Sequence, residues 1–207
     1  MIRIPLVKTA ICVVLCFVAS SVTAQTRLKL QSTAVPFMLI SPDARSGGMG
    51  NLSIAMSPEA NDLFGNTAKI PYLKNDRGFL INYTPWLKDF GLCDVYLASA
   101  GYFKKLNSFS GINSSLRFFS LGNIDFTDES GNSTLPSQRP SEFSFDFGYN
   151  LLLTDALSMG VTLRYINSRL VSGPFNNTIF KAGNTFAGDI SLFYKQNEDL
   201  EGFHAGL

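Results

Sequence analysis

Charged side chains are scarce in this sequence. Asp, Glu, Lys and Arg make up 16% of the 207 residues, below the roughly 25% of ordinary soluble domains. The formal net charge is only +1, whereas a nucleic-acid-binding protein normally carries a basic patch, so we expect no nucleic-acid partner. Phenylalanine, in contrast, is plentiful with 18 residues. Few charges combined with many aromatic residues are typical of a membrane β-protein.

Residues that commonly support catalysis or bind metals are also few. His204 is the single histidine, and two of the three cysteines, Cys12 and Cys16, lie in the N-terminal segment, which leaves Cys93. One cysteine forms no internal disulfide, and without a His or acid cluster it forms no metal site. The sequence contains no Ser-His-acid set and no carboxylate pair at a recognisable spacing. We therefore expect no enzyme activity, no catalytic residue, no metal and no cofactor.

The sequence has no hydrophobic run long enough for a membrane-spanning helix. Its apolar run at residues 10–19 is about half the length of roughly 20 residues that a span needs. Two basic residues precede this run, and the small residues Val22-Thr23-Ala24 that follow it are typical of a signal-peptidase site. Residues 1–24 are therefore predicted to be a signal peptide, and the mature chain is predicted to begin at Gln25.

Residues 25–75 are predicted to form a separate segment, of which residues 41–71 are the part least like a strand. Gly47, Gly48 and Gly50 give the backbone free dihedrals and allow other backbone to approach closely. Ser57-Pro58-Glu59 predicts the start of a short helix, which Asn66-Thr67-Ala68 ends. Composition alone also fits a surface loop and short helix ahead of a β-domain.

Residues 76–207 read as a series of strands, in which apolar and polar residues alternate strictly in residues 142–152, 158–167 and 184–195 and less well in residues 95–104. Each segment has about ten residues, the length that crosses a bilayer when tilted. The predicted strands are residues 78–86, 95–104, 110–120, 142–152, 158–167 and 184–195, and a seventh begins at Gly202.

The connections between these strands alternate in length. The short ones are residues 105–109, 153–157 and 196–201, and the longer ones are residues 87–94, 121–141 and 168–183. Outer-membrane barrels have short turns on the periplasmic side and longer loops outside, whereas a soluble β-sandwich, the alternative, has no reason to sort its loops in this way. We therefore predict an all-β fold, a transmembrane antiparallel β-barrel in the outer membrane of a Gram-negative bacterium.

Six strands and the start of a seventh are too few to close such a barrel. An open sheet edge facing lipid would leave backbone groups unpaired at several kcal/mol each. We therefore expect the chain to be the N-terminal part of a longer protein or a truncated gene product.

The N-terminal segment contains Gly48-Met49-Gly50 and, further along, Asn66-Thr67-Ala68. These resemble the Gly-Met-Gly motif and the Asn-Pro-Ala in the N-terminal segment of the FadL superfamily of outer-membrane barrels, with threonine in place of proline. Within the superfamily the chain is similar to the PorV family of the Bacteroidetes type IX secretion system. This likeness is carried by residues 36–50, Tyr83-Thr84-Pro85-Trp86-Leu87, residues 116–122, Phe126-Thr127-Asp128-Glu129 and residues 182–187.

The resemblance implies a barrel of about fourteen strands, of which this chain would hold roughly the first half, with an N-terminal hatch that plugs it. It implies an outer-membrane protein that binds secreted cargo through the cargo's C-terminal signal domain. Such a protein associates with the translocon barrel and delivers the cargo to the surface attachment complex. The alternative is a FadL-like channel for long-chain fatty acids or other hydrophobic molecules.

Three groups of candidate site residues follow. The hatch group comprises Asp43, Arg45, Gly47, Gly48, Gly50 and Asn66, and Asp43 and Arg45 either anchor the hatch to the barrel wall or sit in a solvated turn. Four charges on the polar strand faces, Arg117, Asp146, Arg164 and Asp189, are predicted to point into the lumen, where neighbouring opposite charges pair; packing is favoured over transport. Asp125, Asp128 and Glu129 mark a long external loop that we expect either to contact protein or to be solvated.

Overall fold

The computed structural model describes residues 35–86, 88–91, 94–125, 137–170, 173–175, 178–197 and 202–207. The predicted signal peptide, residues 1–24, lies outside these ranges, as does Cys93.

The described chain begins with short helices and continues as strands. A 3₁₀ helix at Pro36–Leu39 is followed by α1 (Ala44–Gly48) and by two further 3₁₀ helices, Ala60–Phe64 and Thr67–Tyr72. We call described residues 35–73 the hatch segment. The strands are β1 (Arg77–Pro85), β2 (Val95–Lys105), β3 (Ser110–Leu121), β4 (Ser141–Leu152), β5 (Leu157–Arg169), β6 (Gly173–Phe175), β7 (Thr178–Phe180), β8 (Gly183–Lys195) and β9 (His204–Gly206), with a 3₁₀ turn at Lys88–Phe90 after β1.

Seven of these strands form one antiparallel sheet in the order β1-β2-β3-β4-β5-β8-β9. Neighbours in the sheet follow one another along the chain, except that the hairpin of β6 and β7 lies within the connection from β5 to β8. Short connections at residues 106–109 and 153–156 alternate with longer ones at residues 86–94, 122–140 and 170–182. Within the described ranges no helix has the length and apolar character to cross a membrane.

The two faces of the sheet differ in chemistry. On β4, Ser144, Asp146 and Asn150 are buried on the inner face, whereas Phe145 and Phe147 are exposed on the outer face. The remaining strands repeat this: the exposed outer residues include Phe79, Ile81, Tyr83, Tyr102, Leu116, Tyr149, Val161, Leu163, Phe186 and Ile190. In a sheet in water the exposed face is the polar one, so an apolar outer face fits lipid. The predicted fold class is confirmed: the chain is an all-β half-barrel.

Apolar contacts hold the hatch segment to the inner face at two places. Phe37, from the first 3₁₀ helix, packs with Leu97, Phe119 and Ile166 of β2, β3 and β5. Nearer the other end of the strands, a second cluster joins Leu63, Ile70 and Leu73 of the hatch segment to Phe103 of β2. Each such buried side chain contributes roughly 1.5–3 kcal/mol by leaving water.

The local structure of the hatch segment differs from the prediction. The residue that precedes the third helix is Glu59, not Ser57, because the Glu59 N–H is bound by the carboxylate of Asp62 at 2.7 Å. Asn66 begins a helix and does not end one, since its Oδ1 accepts the Ala68 N–H at 3.1 Å. The Asp62 carboxylate and the Asn66 amide oxygen thus each accept an N–H group that the start of a helix would otherwise leave unpaired.

The strands agree with prediction to within one or two residues at each end, but the β6–β7 hairpin was not predicted. The hairpin is only three residues on each strand, too short for alternation to be recognised.

Candidate functional site

The hatch segment and the inner sheet face share most of the buried polar residues in the described structure, and we take this junction as the candidate functional site. The Thr67–Tyr72 helix contacts β4, β5 and β8, and the Ala60–Phe64 helix contacts β1, β2 and β3. Polar groups buried at such a junction need partners, because an unpaired one costs roughly 1–3 kcal/mol.

Arg117 of β3 is the buried cation that joins the hatch segment to the wall. It is only 2% exposed. Its Nη1 donates to the Met38 carbonyl at 3.0 Å and its Nη2 to the Phe64 carbonyl, and the guanidinium carbon lies 5.2 Å from the centre of the Phe64 ring. Among the described residues, its Nε is buried without a partner and no carboxylate lies within ion-pair distance of it.

Asn66, one of the predicted hatch residues, bonds directly to the wall. Its Nδ2 donates to the Leu192 carbonyl of β8 at 2.8 Å and to the Ile54 carbonyl at 3.1 Å. The side chain therefore ties together one strand and two parts of the hatch segment. Like Arg117, it uses backbone carbonyls of its partners.

Thr67 and Ala68 add further hydrogen bonds between the hatch segment and the sheet. The Thr67 hydroxyl lies 3.3 Å from the hydroxyls of both Thr162 and Ser191, and Ser158 donates to the Ala68 carbonyl at 2.5 Å. A proline at position 67, as in the FadL motif, would bring no hydroxyl to these two strands. The departure from the motif thus has a local function in this chain.

Asp62 and Lys69 form an ion pair that is closed off from solvent, with side-chain exposures of 1% and 0%. Lys69 Nζ also donates to the carbonyls of Ser53 at 2.6 Å and Met56 at 3.3 Å. Burial, the largest effect, raises the pKa of Asp62 to about 7, although the charge of Lys69 and the Glu59 N–H oppose the rise. The pair holds residues 53–56 against the third helix.

Asp43 forms hydrogen bonds within the hatch segment and is linked to the sheet through the side chain of Asn61. It caps α1 by accepting from Ser46 N at 2.8 Å and Ser46 Oγ at 2.7 Å, and it accepts from Asn61 Nδ2 at 3.1 Å. Asn61 Oδ1 in turn accepts from Asn82 of β1 at 3.0 Å. Burial alone would raise the pKa of Asp43, but the hydrogen bonds from Ser46 and the Arg45 N–H lower it below its usual value.

Arg45 has its ion-pair partner inside the hatch segment. Its Nη1 lies 2.9 Å from Glu59 Oε2, and the arginine side chain is 49% exposed. Both members of this pair belong to the hatch segment, so the bond itself does not reach the wall. An exposed pair of this kind contributes at most about 1 kcal/mol.

The predicted glycines lie on an uncovered part of the hatch segment. Gly47 and Gly48 belong to α1 and Gly50 follows it, and a Cβ at any of the three would meet no atom of the described structure within 4 Å. Within the described ranges no other backbone approaches these glycines closely. Only Gly50 needs its conformational freedom, since its φ is +74°. The exposed apolar side chains of Met49, Leu52 and Ile54 lie in the same stretch.

Three of the four predicted lumen charges meet in one chain of ion pairs on the inner face. Arg164 faces Asp146 across the β4–β5 register, with Nε 2.8 Å from Asp146 Oδ1 and Nη2 3.2 Å from Oδ2. Its Nη1 lies 2.9 Å from Asp189 Oδ2 of β8. Asp146 is fully buried, whereas the Asp189 side chain is 51% exposed. Arg117, the fourth, serves the hatch segment instead.

The predicted contact loop is only partly described. Asp125 is exposed, while Asp128 and Glu129 lie in residues 126–136, outside the described ranges. The base of the loop is ordered by Asn123, which donates its N–H to Asp94 Oδ2 at 2.7 Å and accepts from Arg139 Nε at 2.6 Å. A bridge between Ile124 and Gln138 closes it.

A cavity of about 270 Å³ lies between the hatch segment and β3. Its lining includes the side chains of Met38, Leu39, Ile40, Ile54 and Phe64, together with Arg117 and the polar residues Ser41, Ser46, Asn51, Ser53 and Asn61. The lining is thus mixed, with apolar and polar side chains in equal number and one cation. Elsewhere in the described ranges no group of three or more His, Cys, Asp or Glu side chains is placed to hold a metal ion.

Sequence reasoning missed Asp62, Asn61 and Lys69. Lys69 lies between Ala68 and Ile70, both fully buried, and a single lysine among small and apolar residues was the signal available. Lysine is almost never fully buried unless it is paired, so that signal called for an acidic partner.

Comparison with known protein families gives a match over nearly the whole chain. The family model described as "Type IX secretion system protein PorV" matches residues 22–205, nearly the whole chain. A search of curated proteins gives no match.

Proposed function

Because the chain belongs to the PorV family of the type IX secretion system, we propose that it binds secreted cargo through the cargo's C-terminal signal domain and shuttles it from the translocon barrel to the surface attachment complex. Membership makes it an outer-membrane component of that secretion system. The match over residues 22–205 is the observation that carries the proposal. The binding of cargo and the contacts with the translocon and the attachment complex are the proposed part, since the family match alone does not include them.

The proposal includes export with removal of residues 1–24 and insertion in outer-membrane lipid. The apolar outer face of the sheet supports the lipid partner, because its exposed Phe145, Leu163 and Phe186 would otherwise face water. N-terminal sequencing of protein from the outer-membrane fraction should begin at Gln25. Recovery of the chain from the cytoplasm with Met1 intact would contradict this part of the proposal.

The external loop is the proposed contact with cargo or translocon. It carries three acidic residues, Asp125, Asp128 and Glu129, and its base is held by Asp94, Asn123 and Arg139 as described above. A loop on a rigid scaffold suits protein recognition. The inner face, by contrast, is occupied by the hatch segment along β3, β4 and β5.

The test replaces the three loop acids by Asn, Asn and Gln and measures co-purification with a protein carrying the C-terminal secretion signal. We expect co-purification to fall severalfold with normal membrane insertion, because the charge complementarity at the contact is lost. Asp155→Asn is the matched control, since Asp155 is an exposed acid in a short turn at residues 153–156, and it should leave co-purification unchanged.

The alternative function, a channel for long-chain fatty acids, makes the opposite prediction. Deleting the protein should then reduce uptake of a labelled long-chain fatty acid while secretion of cargo proceeds normally. If uptake is unchanged and cargo stays in the periplasm, the shuttle is supported and the channel is excluded.

A further inference from the structure

Two basic side chains lie side by side on the outer face of the sheet, at the end with the short connections. We propose that Arg77 of β1 and Lys104 of β2 together bind the phosphate of an anionic phospholipid in the periplasmic leaflet of the outer membrane. This site rests on the proposed insertion in lipid and does not depend on cargo binding.

The register of the first hairpin brings the two cations together. Arg77 and Lys104 are direct partners across β1 and β2, and both are exposed. Alternation along the strands places them on the same outer face as Phe79 and Tyr102, the next pair toward the middle of the sheet. Directly opposite residues have Cβ atoms about 4.5–5.5 Å apart. The guanidinium and the ammonium can therefore reach one small anion.

The charges of this pair are not balanced by the protein. Like charges directly opposite each other in a sheet are unfavourable. No acidic side chain in the described ranges forms an ion pair with Arg77 or Lys104, and this includes Asp76, the acid next to Arg77 in the chain. Phosphate oxygens accept charge-assisted hydrogen bonds from both an arginine fork and a lysine ammonium. A bound phosphate would thus turn a repulsive pair into a binding site.

The rest of the outer face supports a lipid as the source of the phosphate. Among outward-facing residues of the six long strands in the described sheet, the charged ones are all basic and lie near strand ends: Arg77, Lys104 and Arg169. Arg169 stands alone at the long-loop end, opposite Ser141. Cations at the ends of an apolar face match a bilayer, whose anionic charge lies in its headgroup layers.

The depth of the pair also fits a headgroup layer. A row of aromatic rings lies near the long-loop end of the outer face, with Tyr96 centred 5.4 Å from Tyr83 and 6.1 Å from Phe118. From Tyr96 to Lys104 the strand advances by eight residues, or about 27 Å, which a tilt of about 35–45° reduces to about 20 Å. Outer-membrane barrels have an apolar band about 25 Å tall between aromatic girdles, with the short turns on the periplasmic side. When the aromatic row lies at the outer interface, the pair therefore lies near the periplasmic one.

The test offers the protein two phospholipids that differ in net charge. Protein extracted from outer membranes in a mild detergent is mixed with equal amounts of phosphatidylglycerol and phosphatidylcholine that have the same acyl chains, and native mass spectrometry counts the lipid retained. Both lipids carry a phosphate, but the choline ammonium of the second offsets its charge. A basic residue near an anionic lipid surface contributes about a fivefold preference. We expect at least fivefold more phosphatidylglycerol than phosphatidylcholine to be retained.

Three variants locate the site. Arg77→Gln combined with Lys104→Gln should bring the retention ratio to about one. Lys104→Glu should do the same, because a carboxylate directly opposite Arg77 takes the place of the phosphate. It also replaces a repulsive cross-strand pair by an attractive one, so a folding defect would not explain its loss of lipid. Arg169→Gln removes an exposed cation from the other end of the same face and is the matched control. It should keep at least half of the preference.

The inference is overturned if the unmodified protein retains the two lipids equally or if Arg169→Gln lowers the ratio as much as the double variant does. It is also overturned if a tenfold excess of glycerol 3-phosphate removes the preference, because a free phosphate would then occupy the pair as well as a lipid does. Equal retention by protein taken from the outer membrane would contradict the lipid site alone. Recovery of the chain from the cytoplasm would instead contradict the proposed insertion.

Discussion

Two stretches of the hatch segment meet the rest of the molecule in opposite ways. Residues 66–71 are buried and bonded to β5 and β8 through Asn66, Thr67 and Ala68. Residues 47–52 are exposed, and a Cβ on any of their glycines would touch no part of the chain that the structure describes. Both stretches carry part of the resemblance noted in the sequence, Gly48-Met49-Gly50 in one and Asn66-Thr67-Ala68 in the other, yet only one of them bonds the segment to the sheet. The comparison shows that a recognisable motif and a structural anchor are different properties.

The largest effect should come from breaking the ion pair of the fastened stretch. Lys69→Ala leaves Asp62 buried without its partner, and removing one member of a buried pair costs about 3–5 kcal/mol. Urea unfolding in detergent, followed by the fluorescence of the single tryptophan, measures this. Trp86 is a suitable reporter because its ring lies 5.7 Å from that of Phe119, which packs on Phe37 of the hatch segment.

Replacing both charges is the control for this effect. Lys69→Met combined with Asp62→Leu removes the unpaired charge and should recover most of the lost stability, since apolar replacements of buried pairs are often neutral or better. A double variant as unstable as Lys69→Ala would show that the lysine acts through its bonds to the Ser53 and Met56 carbonyls instead.

The pH dependence of the same site is the second prediction. Since burial raises the pKa of Asp62 to about 7, the folded state binds more protons than the unfolded state between about pH 4 and pH 7. The contribution of Asp62 to stability is therefore full below about pH 4 and decreases as pH rises to about 7. Lys69 limits the decrease, because its charge opposes the rise of the Asp62 pKa. Asp62→Asn should remove this part of the pH dependence in the same urea assay.

The third prediction concerns the amide of the fastened stretch. Asn66→Ala removes donors to the Leu192 and Ile54 carbonyls and the cap on the Ala68 N–H, a loss of about 2–3 kcal/mol. Asn51 is the same residue type in the exposed stretch with a φ of 64°. Asn51→Gly keeps that backbone conformation accessible and should change stability by less than about 0.5 kcal/mol. Equal losses in the two variants would erase the distinction between the stretches.

Alternation with a period of two predicted the six long strands and their inner and outer faces, because side-chain direction along a strand depends only on local geometry. The partners of the hatch segment could not be predicted in this way. Arg117 binds Met38, 79 residues away, and Asn66 binds Leu192, 126 residues away. Both bonds end on backbone carbonyls, which every residue has, so no residue type in the sequence marks the acceptor.

The fourth prediction tests the one glycine in the exposed stretch that has a conformational role. Gly50 has a φ of +74° with open space around its missing Cβ. Gly50→Ala should therefore lower stability by about 1–2 kcal/mol through backbone strain alone. Gly50→Asn should lose less, because asparagine tolerates this region better than alanine does. Equal losses for Ala and Asn would point to steric contact and contradict the open surroundings.

The smallest effect is expected at Gly47, which lies within α1 and has no neighbour within 4 Å of its missing Cβ. Gly47→Ala should leave stability unchanged or raise it by up to about 1 kcal/mol, because alanine is the better helix former. The urea assay measures stability, and secretion of a cargo protein measures function in the same variant. A loss of more than about 1 kcal/mol would show that another part of the molecule covers this stretch. Unchanged stability with impaired secretion would instead indicate that the exposed glycines contact a partner protein.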